Sequence, residues 1–327
     1  MVPAPGARHT AMAAAIGNVG RRALLLSAFS PAVPPIEYSS GASANILPSL
    51  TLSDGSTLPC ACFGIQIYDD ATATECTLRA LEAGFRCFFT SPEAGNQYGF
   101  ARAIRESGVP RNELCILGSV LSDDAVGFRA ARTTTKDRTA RSLETLASGG
   151  VDALDMLLLE RPGFECESIR GQWRALEDAQ AAGVAKRLGT CNFDIEQLDC
   201  LLAKARTRPL LNQIQYTLAI RMPHEQIRAQ HEARGVRLMA FSPLGGPGAI
   251  IPRSTIDECK RIGKRRGGAT AYQVPLRWLT QQGVAYSVHS RSLAHLREDL
   301  SAAGGVALSE AEMRTLTDMS ERAPAYY

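Results

Sequence analysis

The chain has 327 residues, 45% hydrophobic and 21% charged, which is enough apolar material for a large core and unlike a disordered polypeptide. A formal charge of +3 is too small at this length to impose a nucleic-acid footprint, and no run approaches the about 18 apolar residues that cross a membrane. Residues 1–47 hold three of the 36 basic residues (Arg8, Arg21, Arg22) and one of the 33 acidic ones (Glu37), leaving 33 against 32 in the remainder.

The chain opens on a stretch with no acid before Glu37. Between Thr10 and Ser30 it mixes alanines, a short leucine run and the Arg21-Arg22 pair, after which Pro31, Pro34 and Pro35 break any helix. Acid-poor, Arg- and Ser-containing sequence with helical potential is the composition of an organellar transit peptide. Residues 1–47 are therefore expected to be a targeting segment, mitochondrial in preference to plastid. A disordered extension on a cytoplasmic protein is the alternative.

From Leu50 onward, short apolar runs alternate with amphipathic stretches. Residues 51–58 predict a hairpin turning at Asp54-Gly55. Strands are predicted at 62–66, 86–90, 114–119, 154–159, 185–190, 211–214, 236–241 and 284–288. Helical periodicity falls between them, as at 73–82, 136–146, 169–182 and 195–205. Eight strands with intervening helices predict a (β/α)8 TIM barrel over 48–327, opening on the hairpin. A doubly wound sheet would need a Gly-x-Gly-x-x-Gly phosphate loop after an early strand, and none is present.

The cysteines at 60, 62, 76, 87, 115, 166, 191, 200 and 259 are odd in number and lack the Cys-x-x-Cys spacing of a zinc or redox site. They read mostly as small core residues of a reducing compartment, and no metal is expected. Cys191 has no His partner at a known spacing and reads as core. The run Lys264-Arg265-Arg266, before Gly267-Gly268, reads as a solvated helix end.

Residues 84–97 read Gly-Phe-Arg-Cys-Phe-Phe-Thr-Ser-Pro-Glu-Ala-Gly-Asn-Gln. This frame resembles the aldo-keto reductase signature Gly-Tyr-Arg-His-Ile-Asp-Thr-Ala-x-x-Tyr-Gly-Asn-Glu. The resemblance continues collinearly through Gly189-Thr-Cys-Asn-Phe193, Leu211-Asn-Gln-Ile214, Ala240-Phe-Ser-Pro-Leu-Gly245 and Leu276-Arg-Trp-Leu279. It implies a barrel that binds NADP, with the opening hairpin as its N-terminal β-hairpin plug. Asn192 and Gln213 stand where the family holds the nicotinamide carboxamide, with Cys191 replacing a Ser. Phe241 stands for the stacking Tyr, and Ser242, Leu244 and Gly245 for the pyrophosphate loop. At the adenosine end, Ser290 and Glu298 match the family pattern. His289 and His295 replace its Lys and Arg, which implies a weaker grip on the 2′-phosphate and reduced affinity. Arg291 and Arg297 are candidate substitutes.

The family's catalytic positions are all changed. Phe89 stands for the Asp, Ala94 for the Tyr that donates the proton, Ser119 for the Lys and Glu160 for the His. Gln66 stands where the substrate pocket has Trp. Two residues are candidate replacement acids: Tyr98, which follows Ala94, and Glu160, at the C-terminal end of a strand. For Glu160 the stronger expectation is a salt bridge to Arg161 or Arg86. Tyr216 and His224 are further polar candidates.

Two functions follow as expectations. In the first, the chain is a pseudoenzyme that has lost carbonyl reduction and serves as a structural, binding or regulatory subunit with protein partners in a larger, mitochondrial assembly. In the second, it is a divergent NADP-dependent oxidoreductase with an unusual proton donor. A third reading is a redox-state sensor that binds NADP(H) without turning it over.

Overall fold

A computed structural model describes residues 48–65, 68–246 and 249–324. The expected targeting segment 1–47 and the position of Gln66 lie outside the described residues. Strands β1 (Ser49–Thr51) and β2 (Thr57–Pro59) pair antiparallel. Their connection is wider than the two-residue turn expected at Asp54-Gly55. Leu52 N–H donates to the Ser56 carbonyl at 2.8 Å, and the Asp54 carboxylate accepts from Ser56 N–H at 2.9 Å, closing a five-residue loop.

Eight parallel strands follow: β3 (Ala61–Gly64), β4 (Cys87–Thr90), β5 (Cys115–Val120), β6 (Met156–Leu159), β7 (Leu188–Cys191), β8 (Leu211–Gln215), β9 (Arg237–Phe241) and β10 (Ala285–Val288). They close in sequence order, with β10 pairing both β9 and β3. The barrel expectation holds, and each predicted strand overlaps an observed one. The hairpin closes the N-terminal end. Arg187, just before β7, donates to the Thr57 carbonyl at 2.9 Å, and Arg237, opening β9, donates to that of Thr51 at 3.1 Å. Leu50, Leu52 and Leu58 are buried beneath it.

The outer layer contains α1 (Asp70–Ala83), α2 (Gln97–Ser107), α3 (Phe128–Ala147), α4 (Cys166–Ala181), α5 (Ile195–Leu202), α6 (His224–Glu232), α7 (Arg253–Arg265), α8 (Gln273–Gln281), α9 (Leu293–Ala302) and α10 (Glu310–Glu321). Caps set several starts. Asp69 accepts from Thr72 N–H at 2.6 Å ahead of α1, and capping boxes begin α5 (Asp194 with Gln197) and α10 (Ser309 with Glu312). Helix α3 begins eight residues before its predicted start. Its buried stripe is Ala131, Thr135, Thr139, Ser142 and Leu146, so the helical spacing is carried largely by small polar residues. Thr135 and Thr139 each satisfy their hydroxyl on the carbonyl four residues back.

The cysteines depart from expectation in one pair. Cys166 on α4 and Cys200 on α5 form a disulfide across 34 residues, while the other seven are free. Neighbouring helices bring the two together, which linear spacing does not reveal. The basic run at the end of α7 is ion-paired, with Arg266 2.7 Å and Arg265 3.5 Å from Glu312. Among the described residues, no helix is long and apolar enough to cross a membrane, and no group of three His, Cys, Asp or Glu side chains could hold a metal ion.

Candidate active site

Strand pleating decides which side chains reach the mouth. The Phe88 ring lies 5.9 Å from that of Phe100 on α2, so Phe88 faces the helical layer. Alternation then turns Phe89 into the barrel. The register carries that face around the sheet: Phe89 pairs with Leu117, Ser119 with Leu158, Cys191 with Gln213, and Gln213 with Met239. Phe89, Ser119, Cys191, Gln213 and Phe241 therefore share the interior face toward the C-terminal ends, and Glu160 follows directly on β6.

Glu160 is the chemical centre of this arrangement. Its Oε2 accepts from Ser119 Oγ at 2.5 Å and from Ser91 Oγ at 2.7 Å. Burial raises its pKa to about 7, the two serine bonds oppose that rise, and the neighbouring Glu93 carboxylate adds to it. The expected salt bridge is not formed. Arg161 faces Glu93 at 3.7 Å, and Arg86 donates to the carbonyls of Phe85 at 2.9 Å and Leu81 at 3.2 Å. The β6 end projects Glu160 inward, whereas Arg86 is committed to closing the α1–β4 turn. Ser91 and Glu93 were not among the sequence candidates. The signal was present in the Ser-Pro-Glu that replaces Ala-x-x in the signature frame, beside Ala94.

The other polar candidates lie elsewhere. Tyr98 is 64% exposed, on a cleft of about 410 Å³ that α2 and α3 share with Arg138 and Arg141. Its phenol is thus directed outward. Tyr216 is buried and donates to the His224 carbonyl at 3.1 Å. His224 bonds Thr217 O and Ser320 Oγ and packs edge-on against Trp278. This is a satisfied structural cluster, in which burial drives the His224 pKa down to about 4. Burial also pushes the Cys191 thiol well above its ordinary value, which leaves it a poor nucleophile.

The dinucleotide positions differ in their commitments. Gln213 is buried, and neither its Oε1 nor its Nε2 has a hydrogen-bond partner in the protein. An orphaned amide of this kind is costly unless a ligand completes it. Asn192 (φ 63°) and Ser242 (φ 48°) occupy the left-handed region, sparsely populated by non-glycine residues. The Asn192 amide donates to Glu160 O at 3.1 Å. Phe241 and Leu244 are partly exposed. At Gly245 (φ 89°) a Cβ would fall 2.3 Å from the Ala249 carbonyl, so the loop requires glycine.

The adenosine-end candidates are drawn into other contacts. Ser290 Oγ accepts from Ser292 N–H at 3.1 Å, and Glu298 accepts from the Thr270 hydroxyl. His289 is held neutral, its pKa lowered to about 4 by burial. Arg291 lies over the Tyr68 ring at 5.3 Å, and Arg297 pairs with Glu82 on α1 at 3.3 Å.

A family model described as the aldo/keto reductase family matches residues 62–321. The chain belongs to the aldo/keto reductase family. It is 29% identical over 278 residues to an aldo-keto reductase of Mycolicibacterium smegmatis, spanning 85% of this chain and 93% of that one. It is 30% identical over 237 residues to the glyoxal reductase of Bacillus subtilis, spanning 72% and 80%. Among solved structures, an aldo/keto reductase from Brucella melitensis superposes with a TM-score of 0.73 at 25% identity, covering 84% of this chain and 99% of that one. A Bombyx mori aldo-keto reductase crystallised with NADP has the same fold, with a TM-score of 0.72 at 22% identity over 86% of this chain and 98% of that one.

Proposed function

We propose that this aldo/keto reductase barrel binds a nicotinamide dinucleotide but has lost the family's phenol-driven carbonyl reduction, and that it works as a binding or regulatory subunit. The observation that carries the reading is the pairing of an unpartnered buried amide with a rebuilt catalytic corner. Gln213 keeps a buried, unpartnered amide where a carboxamide would sit. Ala94 and Phe89 offer no proton, and Ser119 spends its hydroxyl on Glu160. Gln213 and Asn192 would hold the nicotinamide end, with Phe241 stacking on the ring and the Ser242–Gly245 turn lying against the pyrophosphate. The neutral His289 and the outward pairing of Arg297 support weak selection for a 2′-phosphate.

A second reading rests on Glu160 itself. A bound dihydronicotinamide would supply hydride to a carbonyl carbon. Glu160, with a pKa of about 7, would hold a proton for the oxygen across a useful part of the neutral range. The two readings part in one experiment on the full-length protein: NADPH titration by fluorescence, then turnover against a panel of aldehydes and ketones. Saturable binding with no turnover is the expected result. Turnover that E160Q abolishes without loss of binding would replace the first reading by the second. No binding at millimolar nucleotide would overturn both.

A further inference from the structure

The seven free thiols are held above their ordinary pKa by burial or by one another, and none is a ready thiolate at neutral pH. Thiol chemistry is thereby concentrated at Cys166–Cys200, neither of which is fully buried. The bond joins two helices that each grip a mouth loop. On α4, Gln172 accepts from Gly163 N–H at 2.8 Å and donates to the Arg161 carbonyl at 3.3 Å, fixing the segment that follows Glu160. On α5, the Asp194–Gln197 capping box holds the segment that follows Asn192, and Asn212 of β8 donates to Phe193 O at 2.8 Å. The two loops meet where the Asn192 amide donates to Glu160 O.

The helices do not pack tightly along their whole length. A cleft of about 280 Å³ opens beside them, lined by Phe128 of α3, by Trp173, Arg174 and Glu177 of α4, by Leu201 of α5 and by Lys204 just beyond it. Arg170 Nε reaches Cys200 O at a long 3.4 Å, and the shorter side-chain ties from α4 go to the turn beyond α5, where Trp173 Nε1 donates to Thr207 O at 2.9 Å and Glu177 accepts from Arg206 N–H at 2.6 Å and Thr207 N–H at 2.9 Å; the disulfide is the covalent tie to α5 itself.

We propose that the Cys166–Cys200 disulfide is a redox-controlled staple that fixes the loops bearing Glu160 and Asn192, and that a dithiol reductant releases them. A thiolate of the reductant attacks one sulfur, breaking the S–S bond, and the departing cysteine takes up a proton. The reductant's second thiol then displaces the remaining cysteine from the mixed disulfide. Two electrons and two protons reach the protein, and the reductant leaves as its own disulfide. The consequence for dinucleotide binding rests on the function proposed above, whereas the staple does not.

The test is to equilibrate the full-length protein in dithiothreitol buffers of graded potential. Differential alkylation with mass spectrometry then reads each cysteine, and amide hydrogen exchange reads residues 160–168 and 192–202. Only Cys166 and Cys200 should change state, in one two-electron transition, and exchange in both segments should rise at least fivefold in the reduced form. C166S/C200S should reproduce the reduced pattern and ignore dithiothreitol. Should that variant fold poorly, the reduced wild type supplies the same comparison. Alkylation of either cysteine before reduction, or exchange equal within twofold in the two states, overturns the staple. NADPH titration completes the set, with affinity expected to fall at least threefold on reduction. Equal affinity in both states overturns the staple's hold on the site. Absence of NADPH binding in both states, with exchange still altered, overturns the proposed function alone.

Discussion

Glu160 makes the stability of the protein depend on pH in a direction opposite to most paired carboxylates. Its pKa in the fold, about 7, lies above the ordinary 4.5, so the folded chain binds the proton more tightly than the unfolded chain does. The contribution is fully present below about pH 4.5 and is lost as pH rises through 7. Between those limits it is on the order of 2 kcal/mol for a half-buried group, at about 1.4 kcal/mol per unit. Urea unfolding at pH 5 and pH 8 should show the wild type losing stability with pH more steeply than E160Q, which carries no titrating carboxyl. Equal slopes would mean that Glu160 is solvated. Gln213 offers a second test at this scale. Gln213→Leu removes an orphaned buried amide, so thermal stability should hold or rise while NADPH affinity drops at least tenfold by fluorescence titration.

At the scale of elements, α1 and α2 approach each other backbone to backbone. Gly99 N–H donates to the Asp70 carboxylate at 2.7 Å, Thr74 Oγ1 donates to Gly99 O at 3.0 Å, and a Cβ on Gly99 would lie 2.2 Å from the Asp70 carbonyl. Gly99→Ala should therefore cost about 2–3 kcal/mol by urea denaturation, because backbone rather than a flexible side chain must give way. Some elements were plain in the sequence and some were not. The strands are short apolar runs such as Met156–Leu159, whose burial on both faces leaves a continuous signature. The first two turns of α3 were hidden because threonines make up much of its buried stripe. The partners of Glu160 were hidden for a different reason. Ser91 lies 69 residues away in sequence and Ser119 lies 41, and only the closed register brings them to one carboxylate. The mouth positions could be aligned from their motifs, but the environment that lifts the Glu160 pKa is a property of the packed barrel.

For the whole molecule, the disulfide is a tether as well as a staple. Closing a loop across 34 residues restricts the unfolded chain, and its removal in C166S/C200S should lower stability by about 3–4 kcal/mol. The hairpin adds an order of assembly. Its anchors, Arg187 and Arg237, and the strand that completes the sheet all lie far along the chain. Ala61 on β3 finds its register with Tyr286 on β10, a span of 225 residues. A ribosome adding about 5–20 residues per second needs on the order of ten to forty-five seconds to cover that distance. Throughout that interval, the free edge of β3 has no strand to pair with, and the hairpin gains its anchors only as Arg187 and then Arg237 are made. The nascent chain is therefore an open, half-wound sheet for most of its synthesis, and it depends on whatever shields that edge until its last strand emerges.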